Sequence, residues 1–134
     1  MSTLQNQKNT HSPIRDRIAT VLMLIAALGA AFAFVTAVGA ASSAGPATQQ
    51  VEWWRAIGFL MFVAIFVLLA FWPRRYPFLW ELVIFNKAVL TVIEIFLIRN
   101  NAENAATSAA ADAVLVVLII AAFILSRGYK SWKQ

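Results

Sequence analysis

The stretch Leu79 to Ile98, LWELVIFNKAVLTVIEIFLI, constrains this chain more than any other. It is apolar and long enough to cross about 30 Å of hydrocarbon at about 1.5 Å per residue, yet Asn86, Lys87, Thr91 and Glu94 sit within it. A helix turns about 100° per residue, so the 4-then-3 spacing of Lys87, Thr91 and Glu94 puts them on one face. An ionised side chain in hydrocarbon costs on the order of 3 kcal/mol by insertion. Two such groups on one helix therefore need partners in a bundle or a wet cavity to face.

The rest of the chain supplies the bundle. From Ile18 to about Ala40 there is no charge. Further apolar runs cover about Trp54–Trp72 and Ala106–Ser126. Four spans follow, at about 18–40, 54–72, 79–98 and 106–126, in an all-α integral membrane domain over 18–126. A polar tail (1–17) precedes it and a basic tail (127–134) follows. The tail is expected to turn helical after Pro13. The composition is 61% hydrophobic and only 13% charged, against about 45–50% and about 25% in soluble domains. The first run exceeds the 7–15 apolar residues of a signal peptide's core, so an uncleaved span is expected there. Ala41–Gln50 reads as a loop, Pro73–Pro77 as a tight basic turn, and the Asn-rich segment after Arg99 as the last connection.

Positive charge sets the orientation. The N-terminal tail, the basic turn and the C-terminal tail hold Lys8, Arg15, Arg17, Arg74, Arg75, Arg127, Lys130 and Lys133; the opposite face holds only Arg55 and Arg99. Both termini are thus expected on the cytoplasmic side, in contact with anionic head groups. This placement accounts for the net charge of +5 without nucleic acid. The five tryptophans all fall at the proposed boundaries, as an aromatic belt would.

Helix rise puts Glu94 about 7 Å and Asp112 about 9 Å below the outer boundary, with Arg55 a turn or less below it and Lys87 near the midplane. The expected site is a polar chamber open to the outside, built from Arg55, Lys87, Thr91, Glu94 and Asp112. Arg55 would pair with Glu94 or Asp112, and Lys87 would form the floor. A purely structural ion pair is the competing account. Glu81 is expected beside Arg74 and Arg75, Glu52 near Arg55, and Asn86 in a helix–helix hydrogen bond. Gly29, Ala33 and Ala37, continued by Ala41, recur every four residues and let helices approach closely, within the monomer or across a dimer.

Several chemistries are excluded. The chain has no cysteine and one histidine, His11 in the tail, so thiol redox, thiolate metal sites and bis-histidine haem ligation within one chain are absent. There is no HExxH and no glycine-rich phosphate loop. No cofactor or metal is expected, and an enzyme is the weaker reading. A Schiff base at Lys87 would be open to a desolvated lysine, but nothing selects it.

Four short spans, cytoplasmic termini and the Trp53-Trp54-Arg55-Ala56-Ile57-Gly58 start of the second span resemble the DoxX-like group of small bacterial membrane proteins. The resemblance covers most of 18–126 and implies a bacterial inner-membrane protein loosely tied to membrane redox systems. That group often has an arginine in its first span; this chain has none, so no functional residue carries over. Small multidrug transporters are also similar in size and span number, but their glutamate is in the first helix and this one is in the third. The expected function is a non-enzymatic membrane protein that binds a small ligand or lipid head group, or supports a partner subunit. The alternatives are a dimeric proton-coupled transporter with Glu94 as proton carrier, and a quinone-binding redox accessory.

Overall fold

A computed structural model describes residues 13–133. The first twelve residues, with Lys8 and His11 of the polar tail, lie outside the described residues, as does Gln134. The described chain forms α1 (Pro13–Ser43), α2 (Gln49–Phe71), α3 (Leu79–Arg99) and α4 (Ala105–Ser126), then a short 3₁₀ segment (Gly128–Lys133). No strand occurs among the described residues. Three of the helices, α1, α2 and α4, are long and apolar enough to cross a membrane.

The helix α1 is the spine. At 31 residues it is about 46 Å long, well beyond the span expected of it. It takes in Ala41, Ser42 and Ser43, which the sequence places in a loop. Ser42 donates to the Val38 carbonyl and Ser43 to that of Gly39, so their hydroxyls are satisfied inside the helix. One face of α1 packs against α2 and another against α4, while α3 packs on α4. The buried stripe is Ala19, Met23, Ala26, Ala30, Ala37 and Ala41, close to a 4-then-3 repeat whose small side chains admit close neighbours. Of the expected packing stripe, Ala37 and Ala41 are buried and Ala33 is partly so, but Gly29 is exposed with open space around it. The true stripe passes through Ala30, one position along. Alanine fills so much of α1 that a step of four and a mixed step of four and three both fit its composition.

The core is concentrated toward the α2–α3 turn, where Met23, Phe66, Leu69, Trp80 and Ile119 are fully buried. Trp80 belongs to this core and not to an aromatic belt. Its indole donates to the Pro73 carbonyl at 2.7 Å and its ring packs against Phe123. Trp53, Trp54, Trp72 and Trp132 remain exposed.

Arg74 ties the helix ends together beside this core. Its guanidinium donates to both Asp16 carboxylate oxygens, at 3.0 and 3.2 Å, and to the Ser126 carbonyl at 2.7 Å. One side chain thus joins the start of α1, the α2–α3 turn and the end of α4. Thr20 adds a bond from α1 to the Ala70 carbonyl of α2. Glu81 does not pair with Arg74 or Arg75; it accepts from the Trp132 indole at 2.8 Å. Where α4 ends, Gly128 lies directly on Trp80, so that a Cβ there would collide with the indole Nε1 and approach the Phe123 ring at 2.9 Å.

Replacing Arg74 by alanine should lower stability in detergent by about 1–3 kcal/mol, since it strands a half-buried carboxylate and a carbonyl that share one partner. Lysine should not restore it, because an ammonium lacks the forked geometry. Gly128→Ala should cost about 1–3 kcal/mol through overpacking. Thermal unfolding followed by tryptophan fluorescence measures all three variants.

Candidate functional site

The inward stripe of α3 begins as ordinary core and ends in charge. Trp80, Val83 and Lys87 are buried, and the same face continues through Thr91 and Glu94. The ionisable residues thus continue the stripe that packs the helix. The apolar half of the stripe holds α3 against the bundle, and this carries the polar half inward with it.

Lys87 is only 4% exposed. Its Nζ donates to Asp112 Oδ1 of α4 at 3.1 Å and lies 4.3 Å from the centre of the Phe62 ring of α2. Three helices therefore meet at one ammonium. An unpaired charge here would carry a penalty of several kcal/mol, and the carboxylate and the ring face together offset it. The helix-rise argument puts Lys87 about 7 Å deeper than Asp112. The lysine's four-carbon stem spans that difference.

Glu94 lies beside the Asp112 carboxyl, with Lys87 also acting on it. Its Oε2 is buried and accepts no hydrogen bond among the described residues. Around Asp112 the fourth helix offers Ala109, Ala110, Ala111 and Ala113, so little bulk stands near the two carboxyls. Thr91 is engaged locally, donating to the Lys87 carbonyl at 2.8 Å and thereby stiffening the turn that bears the lysine.

Arg55 is not part of this cluster. It pairs with Glu52 one turn earlier at 2.8 Å, on an open surface. The expected Arg55 partnership with Glu94 or Asp112 is replaced by Lys87–Asp112, because an arginine near the helix start is satisfied by its i−3 neighbour without burial. The structure brings together Lys87, Glu94 and Asp112, keeps Thr91 as a support, and leaves Arg55 aside. Phe62 escaped the sequence reading: nothing marks a phenylalanine among ten as the one that faces a cation. Lys87 also forms no open floor, since it is covered on all sides.

Lys87 is paired with Asp112 alone, and Glu94 lies beside that pair without an ion pair of its own among the described residues. No group of three or more histidine, cysteine or acidic side chains placed to hold a metal occurs among the described residues.

No protein-family description, no curated protein and no solved structure matches this chain.

Lys87→Met alone should destabilise the protein by about 3–5 kcal/mol, because it leaves Asp112 buried without its partner. The double variant Lys87→Met/Asp112→Leu should recover most of that loss. A double-mutant cycle on thermal unfolding in detergent measures the coupling.

Proposed function

We propose that this chain is a four-span membrane protein of the bacterial inner membrane, both termini cytoplasmic, which binds a small organic cation at Glu94 from the outer side. The observation that supports it is the charge count at the buried cluster. Lys87 neutralises Asp112, and Glu94 keeps a buried oxygen with no partner. A cation of modest size, or a proton, completes the set.

The helix α3 is not apolar enough by itself to be counted among the spanning helices, because any 18-residue window of it contains Lys87, Glu94 and either Glu81 or Arg99. Its packing argues for a span nonetheless. It lies antiparallel on α4 and is joined to α2 by a short turn, so it occupies the depth that they occupy. Cross-helix pairing of Lys87 removes much of the insertion penalty that excludes it. The Lys and Arg distribution supports cytoplasmic ends. The assignment to a bacterial inner membrane rests on the resemblance to DoxX-like proteins.

A second reading is favoured by the closeness of the Glu94 and Asp112 carboxyls. A proton exchanged for each bound cation at these carboxyls would couple the two fluxes. Glu94 would then be the carrier of a proton-coupled transporter.

Tetraphenylphosphonium serves as the probe. Purified protein should bind it saturably, as read by tryptophan fluorescence, and Glu94→Gln should weaken binding at least about tenfold, equivalent to about 1.4 kcal/mol. Arg55→Gln should leave it unchanged. Equal binding by wild type and Glu94→Gln would remove the proposal. In liposomes, uptake driven by a pH gradient separates transport from binding alone.

A further inference from the structure

Asn86 is the polar side chain that the site does not use. It neighbours Lys87 in sequence but points about 100° away and is exposed. Its amide makes no hydrogen bond among the described residues. Thr36, the exposed hydroxyl in the body of α1, shows the contrast, since it is satisfied by the Ala33 carbonyl. Asn86 makes no bond of that kind to the carbonyls of its own helix. At mid-depth in a bilayer neither water nor an acyl chain offers it a partner, and an unmet amide there is costly.

The surface around Asn86 has the pattern of a helix interface. Leu82, Asn86, Val89 and Ile93 follow a 4-3-4 spacing and are all exposed. Beside them, between α2 and α3, runs a groove of about 340 Å³ lined by Phe62, Ile65, Leu79, Val83 and Asn86, with the exposed Phe85 on its edge. One patch therefore carries a hole, a projecting aromatic ring and an unmet donor–acceptor group.

We propose that this patch is the interface between two copies of the chain, related by a two-fold axis that runs between their α3 helices, with Asn86 of each copy hydrogen-bonded to that of the other. An amide is donor and acceptor at once, so it is complementary to itself across such an axis. A ring on the edge of a groove meets the same requirement, because residue i contacting j entails j contacting i. A lipid chain filling the groove would leave both amides unmet; a second copy satisfies both. Interhelical bonds of this kind hold transmembrane helices together where hydrophobic burial gives no preference over lipid. The proposal rests on α3 lying within the bilayer, and the experiment tests that part separately.

The chain has no cysteine, so single thiols report cleanly. In liposomes at high dilution, Val89→Cys should cross-link between copies on mild oxidation, whereas Val117→Cys on the exposed side of α4 should not. Dissociation of dye-labelled protein, followed by energy transfer on lipid dilution, should be about tenfold easier for Asn86→Val and near wild type for Asn86→Gln. Valine suits a lipid-facing helix, so loss of folding does not obscure the result. Monomeric wild type, or a dimer indifferent to Asn86→Val, overturns the interface. A membrane-impermeant maleimide distinguishes the two failures. If it labels Val89→Cys in sealed liposomes, α3 is outside the bilayer and the four-span reading fails with the dimer. If the thiol is protected but does not cross-link, the dimer alone fails.

Discussion

The contact between Lys87 and Asp112 is what lets α3 belong to the bundle. On the proposed four-span reading, without it the third helix would carry a cation and a carboxylate through its middle, and hydrocarbon would reject it. With it, the ammonium has a carboxylate from α4 and a ring face from α2, and three helices converge on one atom. The pair also fixes register. A slide of α3 by one turn along α4 would part the charges by about 5 Å and leave both unpaired in a low dielectric.

The two ends of the bundle are built differently. Toward the α2–α3 turn the packing is dense, with Trp80 against Phe123 and Gly128, and with Arg74 holding Asp16 and the Ser126 carbonyl. Toward the other end the helices are thin, and much of α3 beyond Thr91 is exposed while α4 begins in alanines. The proposed cation site near Glu94 lies toward the thinner end, beside the buried Lys87–Asp112 pair.

Much of the architecture was legible because its cause is simple. Long apolar runs can only satisfy their backbone in hydrocarbon as helices, and the connections between them are rich in Pro, Gly, Ser and Asn. The shared face of Lys87, Thr91 and Glu94 followed from helical geometry alone. Partners were harder to read. Depth along the axis gives the height of each Cα but not the reach of a side chain, so the lysine's extension to Asp112 was lost. Glu52 was expected near Arg55 and is its partner, but Arg55 was also sent to a carboxylate across the bundle. Arg74 and Trp80 were read as boundary residues because topology rules count charge and aromatic rings without asking what they touch. The slip from Ala30 to Gly29 has a similar origin, as an alanine-rich helix offers several stripes of equal smallness.

The central claim is that Lys87 is buried among three helices and held by Asp112, within the membrane on the proposed four-span reading. Solid-state nitrogen NMR of protein in lipid bilayers, labelled at lysine Nζ, tests it most directly. The account predicts one ammonium resonance whose protons exchange slowly with water and show through-space contacts to an aspartate carboxyl carbon and a phenylalanine ring, and which disappears in Lys87→Met. Rapid exchange at every lysine, with no such contacts, would contradict it.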